Sequence, residues 1–352
     1  MACPTPTYLL RIILNPHPHG ASLCFLSPAS SWRVHSRACL VQIGLHPKAS
    51  LSYECDDGGA FALDLSYPSL LQSHLFAQLS ITHFTHFDMS VYQLPKVTGS
   101  STRTINILLI NPNGTSLMTD GCLRSLEPTL PPYCTVTGFT TPHPTPSAIE
   151  GHLDGVLSAA AAIRAVVPIA SEYDAFLVAC FSAHPLINAL REELDGPVIG
   201  IMEAALYSAR MLGGRLGIVA TGRRSKIMHE DAIRYYGLEG FSVGCETTNL
   251  AVLELETAPK DKVLGLVGEA ARRLVQELGA DCIALGCAGM TEMKLKCEEA
   301  VGAKDATAQV IDGVGVGVQI LIGLVREGHV TAKGGIFSSS SAGRKSRGQE
   351  WL

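Results

Sequence analysis

The sequence lacks the patterns that mark several common kinds of cofactor or catalytic site. No Cys-x-x-Cys occurs and the histidines do not gather at ligand spacing, so a zinc site has little support. Gly313-Val-Gly-Val-Gly317 is only part of a dinucleotide-binding turn, and small residues entering a tightly packed helix explain it better. Ser182 stands near His184, but the Gly-x-Ser-x-Gly of a serine hydrolase is missing. We therefore expect no metal, NAD or pyridoxal phosphate.

Long apolar runs and strong charge imbalance are also missing. Val156 to Ala170 is interrupted by Arg164, and Val314 to Val325 is too short to cross a membrane. The net charge of -5, with no basic cluster in the central region, gives no reason to expect nucleic acid. The eleven cysteines have irregular spacings, and no clear secretory signal precedes them. These features predict a soluble, reduced, cytoplasmic protein that binds a small molecule, and we expect a homo-oligomer.

A short apolar strand that ends in cysteine occurs twice. Asp174-Ala-Phe-Leu-Val-Ala-Cys180 and Asp281-Cys-Ile-Ala-Leu-Gly-Cys287 have an aspartate and a cysteine at the same offset. Each pattern is typical of a buried parallel strand that delivers a thiol at its carboxyl end, where open α/β sheets place their ligand sites. We expect the two thiols to face each other across a cleft.

Other strands repeat in the same order. The repeated segments are Ile105–Ile110 with Leu216–Ala220, and Pro197–Ile201 with Gln309–Gly313. Strands that alternate with helix-length segments indicate βαβ units and parallel sheets. A chain of 352 residues that is 47% hydrophobic can bury more than one core. We therefore predict an α/β protein of two pseudo-symmetric lobes, each with a mainly parallel sheet flanked by helices: residues 104–206 with 311–337, and 207–310.

The two ends of the chain differ from this pattern. Residues 1–103 are rich in Ser, His, Pro and Leu, and no Asp or Glu precedes Glu54. Three interpretations stay open: a transit peptide, a disordered extension, or an over-long gene model. Residues 338–352 begin with four consecutive serines and predict a disordered tail.

The paired thiols suggest a chemistry. Inverting a carbon whose C–H lies beside a carbonyl needs a base on one face and an acid on the other. Cys180 and Cys287 can fill these roles and exchange them after each turnover. Two thiolates at close range repel each other, so we expect one thiolate and one thiol near neutral pH. Main-chain N–H groups at Phe181-Ser182 and Ala288-Gly289 are candidates to hold the carbonyl oxygen as it gains negative charge.

Several blocks in fixed order resemble the hydantoin and allantoin racemases, including fungal hydantoin racemase-like proteins, of the aspartate/glutamate racemase superfamily. These blocks are Ile110–Asn113, Ser147–His152 with Asp154, Ala179–Phe181, Gly196–Ile201 with Glu203–Ala205, Gly286–Met290 and Val310–Val314. The resemblance covers about 230 residues, and ordered blocks are more specific than any single one. It implies the fold of that superfamily, a role in nitrogen metabolism, and a cofactor-independent racemase whose catalytic cysteines are Cys180 and Cys287.

The resemblance also has one departure. Family members often read Cys-Phe-x-Asp-Pro-Gly at the first block, whereas this chain reads Cys180-Phe-Ser-Ala-His-Pro185. We expect this loop to begin a helix whose free N–H groups help to bind the substrate's carbonyl oxygen. His184 is interpreted as a loop or capping residue, with tuning of a thiolate as the alternative, and Glu203 as the partner of a neighbouring charge.

The expected substrate is a five-membered cyclic ureide, either allantoin or a 5-substituted hydantoin. Asn111 and Thr221 follow corresponding strands of the two lobes and are candidates to bind polar groups of the ring; a structural turn or cap is the alternative for each. The sequence shows no obvious arginine clamp for a free carboxylate. An aspartate or glutamate racemase, a maleate isomerase-like enzyme and a two-lobe small-molecule sensor are the alternatives.

Overall fold

The computed structural model describes residues 34–35, 50–55, 60–66, 96–302 and 308–349. The chain divides into two units, Met1–Gly99 and Ser100–Leu352. The first unit contains an antiparallel sheet in the order β1-β3-β2. Its strands are β1 (Val34–His35), β2 (Ser50–Cys55) and β3 (Ala60–Ser66), which the sequence analysis does not anticipate. The rest of residues 1–95 lies outside the described residues, so the three interpretations of this segment stay predictions.

The second unit begins with a four-stranded sheet that is parallel throughout, in the order β5-β4-β6-β7. The strands are β4 (Ile105–Asn111), β5 (Cys134–Thr140), β6 (Ala175–Val178) and β7 (Val198–Gly200). The helices of this half are α1 (Ser116–Leu126), α2 (His152–Val166), α3 (Pro185–Glu193) and α4 (Ile201–Leu212). A 3-10 helix, Val167–Glu172, continues α2.

A second parallel sheet follows in the order β9-β8-β10-β11. Its strands are β8 (Leu216–Ala220), β9 (Ser242–Thr247), β10 (Cys282–Leu285) and β11 (Gln309–Ile311). The helices that follow along the chain are α5 (Arg223–Tyr235), α6 (Glu254–Thr257), α7 (Lys260–Gln276), α8 (Lys294–Val301), α9 (Gly313–Arg326) and α10 (Ser341–Ser346). Of these, α9 packs against β4, β6 and β7 of the first sheet. Two 3-10 helices, Glu239–Phe241 and Ala288–Met293, lie in the same part of the chain.

The two sheets have the same topology, which confirms the predicted two-lobe α/β fold. In each, the first strand in the chain lies between the second and the third, and the fourth pairs with the third. Cys180 comes two residues after the end of β6, and Cys287 comes two residues after the end of β10. Because the carboxyl ends of parallel strands share one edge of a sheet, the repeat places each thiol at the equivalent point of its lobe.

One hydrophobic core includes side chains of both sheets, with α4 and α9 packed against each other within it. The glycines at the start of α9 make this packing possible. A Cβ at Gly317 would lie 2.7 Å from Leu177 Cδ1, and a Cβ at Gly313 would collide with the carbonyl oxygen of Ile201. The interpretation of the Gly313–Gly317 glycines as packing residues is therefore confirmed.

Two segments differ from expectation. Among the described residues, the continuous helical stretch His152–Glu172 is long and apolar enough to cross a membrane by length and composition alone, although Ala162 and Val166 are fully buried in the core of the first lobe. The tail expected to be disordered contains α10, and Arg344 forms an ion pair with Glu193 at 2.8 Å. This ion pair with a largely buried carboxylate stabilises the position of α10.

Candidate active site

Cys180 and Cys287 line the same cavity, which has a volume of about 420 Å³. Of the seven described cysteines, these two are partly exposed and the other five are buried. Phe181, Ser182 and Ala288, three further predicted site residues, also line the cavity. The duplicated strand ends therefore bring both thiols and the segments that follow them to one space, as the sequence predicts.

Burial dominates the acidity of both thiols. It raises the pKa of Cys180 to about 11 and that of Cys287 to about 12, and the proximity of Cys180 adds to the rise at Cys287. Burial therefore disfavours the thiolate at each position and opposes the expected pair of one thiolate and one thiol.

Each sulfur has a different hydrogen-bond donor. The Ser182 hydroxyl lies 3.2 Å from Cys180 Sγ and lowers the pKa of that thiol against the effect of burial. The main-chain N–H of Gly289 lowers the pKa of Cys287 in the same way. Gly289 itself, a predicted site residue, is outside the cavity lining.

The loop after Cys180 does not offer the free helix N-terminus expected of it. The Ser182 amide donates to the Cys180 carbonyl at 3.0 Å, and α3 begins only at Pro185, which has no N–H. His184 caps α3, since its Nδ1 accepts from the Leu186 amide at 3.2 Å. The capping interpretation of His184 is confirmed, and the expectations for the Ser182 amide and the α3 N-terminus are wrong because other groups satisfy them.

Asn111 is not in the lining either. Its side chain is 1% exposed, and its amide donates to Asn113 Oδ1, the Thr115 carbonyl and Thr119 Oγ1. The structural-turn alternative therefore fits Asn111, and Asn113 takes its place at the cavity. Asn113, two positions after the end of β4, thus reaches the cavity, whereas hydrogen bonds hold the side chain of Asn111, the last residue of β4, within the turn.

Thr221 does line the cavity, and it also has a structural partner. Its hydroxyl lies 2.7 Å from Ser225 Oγ in the first turn of α5. Glu203 is outside the lining and forms an ion pair with Arg191 at 2.7 Å, which confirms the interpretation of this glutamate as a partner for a neighbouring charge.

His229 lies on α5 and lines the cavity, although no sequence motif marks it as a site residue. Its ring packs edge-to-face on Phe181 with ring centroids 5.2 Å apart, and a Cβ at Gly286 would lie 3.1 Å from its Cε1. His229 thus contacts the residue after one cysteine and the residue before the other. Burial lowers its pKa to about 4, and Nδ1 has no hydrogen-bond partner among the described residues.

Two arginines also line the cavity, although the sequence shows no obvious arginine clamp for a free carboxylate. Arg223 and Arg224 open α5 directly after the Thr221-Gly222 turn, and both are exposed. Like Thr221, these arginines closely follow the carboxyl end of β8, so their place in the sequence could have indicated them as well. Within the described ranges, no group of three or more His, Cys, Asp or Glu side chains is placed to hold a metal ion.

Comparison with known proteins agrees with this fold. The family model described as Asp/Glu/Hydantoin racemase matches residues 107–321. An uncharacterized protein of Schizosaccharomyces pombe is 40% identical over 236 residues, covering 67% of this chain and 98% of that protein. Hydantoin racemase of a Pseudomonas species is 34% identical over 230 residues, 65% of this chain and 89% of that enzyme.

A solved structure gives the same result. Allantoin racemase from Klebsiella pneumoniae superposes with a TM-score of 0.62 at 30% identity, covering 67% of this chain and 94% of that one. The duplicated α/β lobes and these relatives define an isomerase of the racemase class. The chain belongs to the Asp/Glu/hydantoin racemase family.

Proposed function

We propose that this protein racemises a five-membered cyclic ureide, allantoin or a 5-substituted hydantoin, by a two-base mechanism in which Cys180 and Cys287 act from opposite faces of the ring. The observation that carries the proposal is the pair of partly exposed thiols lining one cavity at equivalent strand ends of the two lobes. Its volume of about 420 Å³ lies within the range of small-molecule sites.

The reaction balances without any further reagent once one of the two thiols has lost its proton to solvent. One cysteine, as thiolate, takes the proton from the ring carbon; the C–H bond breaks and its electron pair delocalises onto the adjacent carbonyl oxygen. The second cysteine, as thiol, then gives its proton to the opposite face and becomes the thiolate. The product is the mirror image of the substrate, and the reverse reaction uses the cysteines in exchanged roles.

The chain's polar groups support the charge that develops. The Ser182 hydroxyl stabilises the thiolate at Cys180, and the Gly289 amide stabilises the thiolate at Cys287. We assign the main-chain groups of Phe181 and Ala288, which border the cavity, to the carbonyl oxygen as it becomes negative. A ring carbonyl flanked by nitrogen makes the neighbouring C–H more acidic than that of a free amino acid, so thiols suffice as bases.

The named relatives favour a ring over a free amino acid. Those at or above 30% identity are hydantoin racemases and an allantoin racemase. Arg223 and Arg224 keep the aspartate or glutamate racemase as the second candidate, because a guanidinium can bind a free carboxylate. The maleate isomerase-like and sensor alternatives have no such specific observation in their favour, and a sensor does not need two thiols.

Proton NMR in deuterated water tests the proposal. Purified full-length protein, dialysed against a chelator, is incubated separately with enantiopure allantoin, a 5-alkylhydantoin, L-aspartate and L-glutamate. We expect loss of the stereocentre proton signal and of optical rotation for at least one ring, with the amino acids essentially unchanged. Turnover of aspartate or glutamate without turnover of any ring would reverse the ranking of the two candidates. Exchange without loss of rotation would contradict the two-faced mechanism.

A further inference from the structure

Arg223 and Arg224 have no assigned partner in a molecule whose other arginines are mostly paired. Arg124, Arg191 and Arg273, among others, form ion pairs with carboxylates at 2.7–3.0 Å. Neither cavity arginine forms an ion pair with any described residue, although both border a cavity that must admit a ligand. An unpaired guanidinium at a binding site is well suited to a planar carboxylate.

The surroundings of these arginines add positive potential. Both stand in the first turn of α5, and the N-cap of α5 is Gly222, which has no side chain to accept a hydrogen bond. A Cβ at Gly151 would lie 2.6 Å from Arg224 Nη2, so the guanidinium rests against the N-cap of α2. Helix N-termini carry a partial positive charge, which disfavours a guanidinium unless an anion joins it.

The cavity provides little anionic compensation of its own. Glu150 is the carboxylate in the lining, and its Oε1 accepts a hydrogen bond from the Val252 amide at 3.1 Å. Burial raises the pKa of both lining thiols, which disfavours their anionic forms. The two arginines therefore leave the lining with a surplus of positive charge at its exposed side.

We propose that Arg223 and Arg224 form a subsite for a carboxylate on the ring substituent, so that the preferred substrates are 5-substituted hydantoins with an anionic side chain. This inference rests on the proposed function, which places the stereocentre between the thiols. The substituent leaves the ring at that carbon and extends toward the exposed side of the cavity, where the long arginine side chains reach it. The interaction is electrostatic and exposed, so salt weakens it.

The test uses two matched probes, 5-(carboxymethyl)hydantoin and its carboxamide, which differ in charge and hardly in shape. Binding is measured by calorimetry and racemisation by polarimetry, on wild type, Arg223→Gln, Arg224→Gln, the double variant, and Arg272→Gln as a control on the distant helix α7. We expect wild type to bind the carboxylate at least tenfold more tightly than the carboxamide. That ratio should fall toward one in the double variant and in 0.5 M salt, and Arg272→Gln should keep it.

Each outcome bears on one proposal. Equal affinity of wild type for the two probes, or a ratio that survives in the double variant, would overturn the anion subsite even if both rings are racemised. A carboxylate preference that depends on the arginines, without racemisation of either probe, would keep the subsite and contradict the proposed reaction for hydantoins with an anionic side chain. Since both side chains are exposed, loss of folding is not expected, and circular dichroism checks it.

Discussion

At the residue scale, position decides which thiols have access to the cavity. The seven described cysteines have the same side chain, but five are buried; burial raises the pKa of Cys122 and Cys297, and neither of these lines the cavity. Cys180 and Cys287 border a cavity, and each has a donor that favours its thiolate. Access and a stabilised thiolate together distinguish a reactive cysteine from a structural one.

Replacing either thiol should abolish inversion of the stereocentre but leave some exchange of its proton with solvent. Cys180→Ala and Cys287→Ala should each lose racemisation by at least a thousandfold, because one face of the ring then lacks its acid or base. The remaining thiol can still take and return a proton on its own face, so exchange of one enantiomer in deuterated water persists. Cys282→Ala, on the strand that leads to Cys287, is the control and should stay active. Racemisation near the wild-type rate in either cavity variant would contradict the two-base mechanism.

The raised thiol pKa values predict an alkaline activity profile. With values of about 11 and 12 in the free enzyme, the thiolate fraction grows about tenfold per pH unit, so kcat/KM should rise steadily from pH 7 to 9. Ser182→Ala removes the donor that lowers the pKa of Cys180 and should reduce kcat/KM at pH 7 by about tenfold. A flat profile over this range, or an unchanged rate in Ser182→Ala, would show that the resting pair already holds a thiolate.

At the scale of elements, the apolar runs predict six of the eight strands of the two parallel sheets and miss β5 and β9. Both are edge strands, and their sequences, Cys134-Thr-Val-Thr-Gly-Phe-Thr140 and Ser242-Val-Gly-Cys-Glu-Thr247, are mostly polar or small. An edge strand is partly exposed and needs no continuous apolar run, so periodicity is weak there. Their place is fixed by pairing with β4 and β8.

The site shows the same division between local and long-range information. The thiols were predictable because a strand end fixes where the next side chains go. His229 was not, because only the packing of α5 against the two cysteine segments brings it to the cavity. Asn111 has a structural role because its amide donates to the Thr115 carbonyl and to Thr119 Oγ1 in the following turn and helix. Its position at a strand end does not reveal these partners.

Two buried histidines make α3 and α5 sensitive to acid. Burial lowers the pKa of His184 and of His229 from an ordinary value of 6.5 to about 4. Between these values the unfolded chain binds more protons than the folded one, so the free energy of unfolding is complete above pH 6.5 and falls toward pH 4. The loss is on the order of 3 kcal/mol for each histidine.

Urea unfolding at pH 7 and pH 4.5 checks this effect. His184→Asn keeps an N-cap acceptor for α3 and removes the titrating group, and His229→Phe keeps a ring against Phe181. We expect the loss of stability between the two pH values to be smaller in each variant than in wild type, and smallest in the double variant. The same loss in all four proteins would mean that other groups govern the acid sensitivity.

At the scale of the whole molecule, duplication gives two lobes that are equal in topology and unequal at the thiols. A side-chain hydroxyl lowers the pKa of Cys180 and a main-chain amide lowers that of Cys287, each against the larger effect of burial. A racemase must work in both directions, but nothing requires its two bases to be equally strong. The shared core of α4 and α9 keeps the two strand ends in one unit.

The unit that contains the site begins near Ser100, so the preceding residues should be dispensable for its fold. We predict that a truncated protein starting at Ser101 folds and racemises as fast as the full chain. This start retains the Ser101 carbonyl, which accepts from Arg326 at 3.1 Å, and Arg103, which bonds to Asp174 and to the Val325 carbonyl. Starting instead at Thr104 removes these contacts and should lower the melting temperature by a few degrees. Thermal unfolding and polarimetry of the three proteins test this, and a Ser101 start that is insoluble or inactive would show that the N-terminal segment is needed by the racemase fold.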